Sequence, residues 1–370
     1  MTWWYKQRDR LLSEANETPL YVYSQSTLQA AADDLKRLKA ITQVFFALKA
    51  NDHADILREF EALNLGFECV SQAELERVFE LFPRLDAARV LFTPNFAPAA
   101  EYAYAFERHC HVTLDSLYPF VHWADLIRGQ AVFLRIDPGQ GRGHHQHVRT
   151  AGAGSKFGIG LNEVDQALAL AKKGDVRIVG LHAHAGSGIS DPGHWGQMAQ
   201  MLVEVARRMP DVSVINLGGG LGLDIDCEHL NDALKPVCMA NPQYQYWLEP
   251  GRYLVAGAGV LLTRVTQIKE KAGVLFIGVD TGMNSLIRPA LYGAYHEIVN
   301  LSKLDRPNEI TAHVVGPICE SADFLGYDRL LPRTEAGDVL LITQAGAYGR
   351  TMASHYNRRA PAGEYFLKAC

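Results

Sequence analysis

Between about Ser24 and Leu254, short β-rich runs alternate with longer helical patterns, and few folds accommodate that rhythm over such a length. The β-runs are Val44–Leu48, Gly66–Val70, Val90–Thr93, His111–Leu114, Ala131–Ile136, Arg177–His182, Val212–Leu217 and Tyr246–Leu248. Helical periodicity marks Gln29–Lys39, Ala54–Leu63, Gln72–Phe82, Glu163–Lys173 and Met198–Arg208. Eight strands alternating with helices predict an α/β fold, a parallel (β/α)8 TIM barrel over residues 24–254. A doubly wound open sheet usually has fewer strands, and no GxGxxG follows the first run.

After about Val255 the pattern changes. Apolar and polar residues alternate in the short runs Gly259–Lys269, Val274–Val279, Glu309–Val315 and Asp338–Thr343, with Gly, Pro, Asp and Asn between them. That predicts a C-terminal antiparallel β-domain, a small barrel or sandwich, over residues 255–370. The early run Leu20–Tyr23 is expected to join it, so part of residues 1–23 belongs with this domain.

Composition narrows the partners. A formal charge of -5 argues against nucleic acid or an anionic membrane, and the uncharged stretch Tyr253–Leu262 is too short to span a bilayer. The opening residues show no basic segment followed by an apolar one, so no signal peptide is expected. Cys69, Cys110, Cys227, Cys238, Cys319 and Cys370 lack CxxC spacing and read as free thiols in a reducing compartment, which predicts a cytoplasmic enzyme.

Barrels of this type work at the C-terminal ends of their strands. The first run ends in Leu48-Lys49-Ala50-Asn51. Burial penalises a lysine's charge and leaves an amine able to form an imine; the alternative is a surface lysine with its stem laid along apolar residues. The sixth run leads into His182-Ala183-His184-Ala185-Gly186-Ser187-Gly188, where period two sets both histidines toward the axis, ahead of a turn rich in N–H groups. A metal reading of this pair lacks a third ligand at sensible spacing, and the other metal candidate, His144-His145-Gln146-His147, reads as a solvated loop, so no metal is expected.

The seventh run ends in Gly218-Gly219-Gly220, either a flexible turn or a cradle for phosphate, which barrels often bind at this position. Glu249-Pro250-Gly251-Arg252 closes the eighth, as a local ion pair or as a carboxylate for a cationic ring nitrogen and a guanidinium for an oxyanion. In the C-terminal part, Arg288-Pro289-Ala290-Leu291-Tyr292, Gly316-Pro317-Ile318-Cys319-Glu320-Ser321 and Gly346-Ala347-Tyr348 each read as a turn when taken alone, and Cys319 alone as a buried core thiol. Taken together, the pieces supply an imine-forming lysine, a phosphate cradle, a carboxylate for a pyridinium and a histidine able to stack on a ring. Pyridoxal phosphate needs that set.

The wording and order of these segments resemble the fold-type III pyridoxal-phosphate decarboxylases, nearest to the diaminopimelate-decarboxylating branch. Phe46-Ala47-Leu48-Lys49-Ala50-Asn51, Ser155-Lys156-Phe157-Gly158-Ile159, His182 to Ser187, Leu217 to Gly220, Glu249 to Arg252, Gly282-Met283-Asn284, Arg288 to Tyr292, Gly316 to Ser321 and Gly346-Ala347-Tyr348-Gly349 carry it, across about Pro19 to Phe366. The resemblance implies an alanine-racemase-like barrel followed by a β-domain. It makes Lys49 the Schiff-base lysine, stacks His184 on the cofactor ring and pairs Glu249 with the pyridine nitrogen. It assigns the phosphate to Ser187, Gly219, Gly220, the Gly251–Arg252 backbone and the Tyr348 hydroxyl. Substrate recognition falls to Arg252, Arg288, Tyr292, Glu320 and Tyr348, and Cys319 becomes the proton donor. It also implies a homodimer in which Cys319 and Glu320 enter the partner subunit's site, and the decarboxylation of meso-2,6-diaminopimelate to lysine.

Some positions depart from that pattern. Glu68-Cys69-Val70-Ser71-Gln72-Ala73 stands where the family usually has an aspartate, a valine pair and two glycines, Tyr253 replaces a small residue, and Phe92-Thr93-Pro94-Asn95 lacks the usual lysine. These changes are expected to line the barrel away from the imine and the ring nitrogen, and so to bear on substrate fit. The chain is also short for the family, as a piece of a fusion protein would be. Rival readings are a decarboxylase of ornithine, arginine or carboxynorspermidine, an amino-acid racemase, and a non-catalytic pyridoxal-phosphate carrier. Arg288 favours a substrate with a distal carboxylate over ornithine, Glu249 disfavours a racemase, and the C-terminal domain disfavours a carrier.

Overall fold

A computed structural model describes residues 2–139, 142–143 and 154–369. The histidine-rich run His144-His145-Gln146-His147 and Cys370 lie outside the described residues. The chain forms two compact units, Ala31–Tyr253 and Met1–Ala30 with Leu254–Cys370. Among the described residues no helix is long and apolar enough to cross a membrane.

The first unit is a closed ring of eight parallel strands: β1 (Gln43–Ala47), β2 (Gly66–Cys69), β3 (Val90–Phe92), β4 (His111–Leu114), β5 (Ala131–Asp137), β6 (Arg177–His182), β7 (Val214–Asn216) and β8 (Gln245–Leu248). Each strand pairs with its neighbours in chain order, and β8 pairs back onto β1 through Trp247 opposite Gln43. Helices return the chain between strands, and their starts are written locally. Ser71 accepts from the Glu74 N–H at 3.3 Å, Asp191 precedes Pro192 and accepts from Gly193, and Asp226 accepts from Glu228 and His229.

The barrel interior changes character along its axis. Phe45, Leu91, Phe133, Val214 and Trp247 form one apolar cluster, with the Phe133 and Trp247 rings stacked at 5.4 Å. Period two then sets the next inward positions at Glu68, Thr93, Thr113, Arg135, His182, Asn216 and Glu249, all buried and all polar. An aromatic floor therefore carries a polar layer toward the strands' C-terminal ends. Gly180 belongs to this floor by default, because a Cβ there would land on the Phe133 ring.

The second unit is a mixed sheet. Its path runs Ile298–Asn300, Val339–Ile342, Gly259–Lys271, Val274–Val279, Ile310–Val315, Phe324–Leu331. Leu20–Ser24 pairs antiparallel with Gly259–Lys271 and parallel with Gly363–Leu367. The expectation of a purely antiparallel sheet needs correcting in that pair and in Val274–Val279, which runs parallel to Ile310–Val315. A parallel pair requires a long connection, and the chain between those two strands supplies one that includes the helix Arg288–Tyr292. Trp4, Leu11, Leu20, Val22, Val260, Leu262, Leu341 and Leu367 pack in this unit's core.

Replacing Gly180 with Ala is expected to destabilise the barrel by about 1–3 kcal/mol through overpacking against Phe133, read as a lowered denaturant midpoint with an unchanged slope. An unshifted midpoint would show that the aromatic floor has room to spare.

Candidate active site

A cavity of about 310 Å³ opens in the barrel unit, lined by Lys49, Glu68, Val70, Thr93, Asn95, Arg135, Phe157, His182, His184 and Glu249. Lys49 sits in the single 3-10 turn Leu48–Ala50 that ends β1. Its Nζ lies 2.7 Å from Glu68 Oε2, and its side chain is 40% exposed while that of Glu68 is 1% exposed. The burial invoked for this lysine from sequence is therefore not what the barrel provides: its environment is defined by a carboxylate at contact distance. Thr93 donates its hydroxyl to the other oxygen of Glu68, so both arms of that carboxylate are engaged.

Glu68 was expected to lie away from the imine position, and that expectation fails. β2 is the neighbour of β1 in the ring, and period two turns Glu68 inward beside Lys49. A second carboxylate stands behind it. Glu74 accepts from the Val70 N–H at 2.7 Å, and burial, followed by the charge of Glu68, raises its pKa to about 7.

Glu249 is 4% exposed. Burial alone would raise its pKa, but His182, whose Nε2 lies 3.4 Å from Oε2, and then the charge of Lys49 outweigh it and hold the carboxyl at about 2. Asn216 donates from Nδ2 to Glu249 Oε1 at 2.7 Å and accepts at Oδ1 from the Gly218 N–H at 2.9 Å. One buried amide thus ties the carboxylate to the glycine loop. The Gly219 N–H donates to His184 Nδ1 at 3.2 Å. Burial, then the positive charges of Arg135 and Lys49, lowers the His184 pKa well below the imidazole range, so its ring is neutral with Nδ1 as acceptor.

The glycine loop has the form an anion cradle requires. Gly220 has φ +108, and a Cβ on it would strike the Gly186 carbonyl, so the backbone passes closer than any side chain would permit. Ser187 lies alongside and accepts from Arg252 Nη2 at 3.2 Å. Arg252 opens the short helix that follows Gly251, and a Cβ on Gly251 would meet Ala47 and Ala50 at 3.0–3.1 Å. Glu249 and Arg252 are thus each engaged with other residues, Asn216 and Ser187 respectively.

Across the ring from Lys49, Arg135 Nη1 lies 3.5 Å from Asp115 Oδ1, and its guanidinium stacks 4.4 Å from the centroid of Phe157. Asp115 accepts from Asn95 and from the Gly158 N–H at 3.1 Å, and burial raises its pKa against the opposing pull of Arg135.

Lys49, His184, Ser187, Gly219, Gly220, Glu249, Gly251 and Arg252 all belong to this unit, whereas Arg288, Tyr292, Cys319, Glu320 and Tyr348 belong to the other. There, Arg288 is buried at the start of its helix and Tyr292 ends it. Tyr348 sits at φ +55. Cys319 is exposed, which corrects its reading as a core thiol, and its N–H donates to Asn357 Oδ1 at 2.6 Å. Among the described residues no group of three or more His, Cys, Asp or Glu is placed to hold a metal ion. Asn216, Arg135 and Asp115 escaped the sequence reading. Their signal was parity: each is a polar residue at an inward position of an otherwise apolar run.

A ring bearing an aldehyde, a basic nitrogen and a phosphate arm fits this donor set. An amine stands at the cavity, an ionised buried carboxylate faces it, and a glycine cradle lies beside a neutral imidazole. The site thus defines a pyridoxal-phosphate enzyme built on a TIM barrel. Residues 25–256 match the pyridoxal-dependent decarboxylase, pyridoxal binding domain, and the chain belongs to that family. Its relatives include the diaminopimelate decarboxylase of Methanothermobacter thermautotrophicus, 35% identical over 96% of this chain and 88% of that protein. Another is the Neisseria meningitidis serogroup B diaminopimelate decarboxylase, 36% identical over 96% and 89%. The crystal structure of Helicobacter pylori diaminopimelate decarboxylase complexed with L-lysine superposes with a TM-score of 0.89 at 29% identity, covering 97% of this chain and 94% of that one.

Because the Glu249 pKa is depressed on folding, its carboxylate adds stability above its ordinary value of 4.5, and that stability is lost as the pH falls toward about 2. Glu249→Gln is therefore expected to be less stable than the parent by a few kcal/mol at neutral pH, with the gap closing between those values. Denaturant midpoints measured across the pH range check this, and a pH-independent gap would contradict it.

Proposed function

We propose that the chain decarboxylates meso-2,6-diaminopimelate to L-lysine with pyridoxal phosphate, working as a cytoplasmic homodimer. The observation that carries the reading is the shared cavity of Lys49 and Glu249, an amine and a carboxylate held ionised beside a phosphate-type cradle. Relatives named for this activity over nearly the whole chain support the substrate. The absence of disulfide pairing among the described cysteines is consistent with a reducing compartment.

Lys49 is the amine that the cofactor's aldehyde would bond, and Glu68 gives it a counter-charge whenever it is free. Glu249 keeps a proton on the pyridine nitrogen, because a carboxylate this acidic stays ionised beside it. His184, neutral and fixed through Nδ1, offers its ring face for stacking. Ser187, Gly219, Gly220, the Gly251–Arg252 backbone and the Tyr348 hydroxyl hold the phosphate. When bound, pyridoxal phosphate supplies the sink for the electron pair that the departing carboxylate leaves behind. Arg252, Arg288, Tyr292 and Tyr348 recognise the substrate's oxyanion end, and Glu320 its distal ammonium. Cys319 donates the proton that replaces the lost carboxylate, and does so from the partner subunit, so each site draws on both chains.

Lys49→Ala is expected to lose the visible absorbance of bound cofactor and to drop carbon dioxide release by orders of magnitude. Release measured separately with meso-diaminopimelate, ornithine and arginine tests the substrate. Turnover that is fastest on ornithine or arginine, or that survives in the alanine variant, would overturn the reading.

A further inference from the structure

Two of the sheet unit's polar motifs meet at one buried carboxylate, to which the proposed reaction gives no task. Asp323 is 4% exposed. Enclosing a carboxylate is costly unless its oxygens are paired, and both of these are. Oδ1 accepts from the Met283 N–H at 2.6 Å, and Oδ2 accepts from the Ile318 N–H at 2.7 Å. Burial raises the pKa of this carboxyl, while the two donors and then the charge of Arg359 oppose the rise. An ionised carboxylate accepts at both oxygens, whereas an amide of the same shape accepts at only one.

The neighbouring glycines fit the same purpose. A Cβ on Gly282 or on Gly316 would strike the Asp323 carboxylate, and one on Gly316 would also strike the Gly282 backbone. Two runs of chain therefore cross in contact, with the carboxylate riveted between them. Gly282-Met283-Asn284, which the ring, phosphate and substrate assignments leave unused, is one side of that joint. It is fixed in its turn, because Asn284 Oδ1 accepts from the Gly282 N–H at 3.1 Å and Nδ2 donates to the Ala360 carbonyl at 3.2 Å.

The other side of the joint is the turn that carries Cys319 and Glu320. The Gly316 N–H donates to the Asp323 carbonyl and the Asp323 N–H to the Glu320 carbonyl, both at 3.1 Å. Ile318 is buried, and Cys319 and Glu320 after it are exposed. The backbone is thus held at Ile318 and at Asp323, on either side of the two projecting side chains. A group that delivers a proton to one carbon and not to another needs backing of this kind, since small displacements cost large factors in rate.

We propose that Asp323 is the positioning residue of the Cys319–Glu320 turn, and that its ionised carboxylate sets where the Cys319 proton lands. The inference rests on the proton-donor role given to Cys319 above. Once carbon dioxide has left, the electron pair is shared between the substrate's α-carbon and the cofactor's aldehyde carbon. A proton placed on the α-carbon gives lysine and returns pyridoxal phosphate. A proton placed on the aldehyde carbon, followed by hydrolysis with one water, leaves pyridoxamine phosphate and an aldehyde where lysine would carry its new amine-bearing carbon. The substrate carbon is then oxidised and the cofactor reduced by the same two electrons.

The test counts pyridoxamine phosphate formed per carbon dioxide released from meso-diaminopimelate by the cofactor-loaded full chain, as parent, Cys319→Ala, Asp323→Asn and Asp323→Ala. Being a ratio, it does not depend on how much of each variant folds. It should rise roughly ten- to a hundredfold in Cys319→Ala and in both Asp323 variants, as displacing a reacting group by about an ångström requires. Hydrogen exchange at the Met283 and Ile318 amides should quicken in the Asp323 variants, while equilibrium affinity for the cofactor stays within about twofold of the parent. If only one Asp323 variant folds, that one decides; if neither folds, the carboxylate is structural and the proposal is overturned. A ratio raised in Cys319→Ala but unchanged in the Asp323 variants would overturn the proposal alone. A ratio unchanged in Cys319→Ala, or a parent that releases no carbon dioxide, would overturn the proton-donor reading and the proposal with it.

Discussion

The buried carboxylate of Glu249 is the constraint around which the barrel mouth is arranged. An ionised group this enclosed needs compensation, and each compensating group is fixed by its own strand. His182 comes from β6, Asn216 from β7 and Lys49 from the end of β1. Asn216 carries the arrangement further, because its carbonyl oxygen holds the Gly218 N–H and so sets the start of the glycine loop. Gly219 in turn fixes His184 through Nδ1. The electrostatics of one carboxylate thereby place an imidazole and a string of backbone N–H groups.

Lys49 and Glu68 form the complementary half. In the role proposed for Lys49, its amine would need a stable place to rest whenever it is free. The 2.7 Å ion pair provides that place, and Thr93 keeps the carboxylate from swinging away. Glu74 behind it, with its raised pKa, makes this corner of the barrel responsive to pH near neutrality.

Much of this was legible in the sequence because parallel barrel strands are short, buried and bounded by helix caps. Val44–Leu48 and Arg177–His182 announce themselves by apolar content, and Ser71, Asp191 and Asp226 mark helix starts. The sheet unit was harder to read. Phe324–Leu331 was missed because Gly326 and Asp328, the latter at φ +49, interrupt its alternation. Parallel pairing of Val274–Val279 with Ile310–Val315 is a long-range choice that no local pattern encodes. In the site, Lys49 and Glu249 stood out as charges at strand ends, whereas Asn216, Arg135 and Asp115 did not. Their inward parity is written along each strand, but the partners that give it meaning, Glu249 for Asn216 and Asp115 for Arg135, come from neighbouring strands.

The central claim is that the amine at the end of β1 is the group that bonds the cofactor. Borohydride reduction of the cofactor-loaded protein, followed by peptide mapping, tests it most directly. The account predicts a single pyridoxyl-modified peptide carrying the label on Lys49. A label on Lys156 or any other lysine, with Lys49 unmodified, would contradict it.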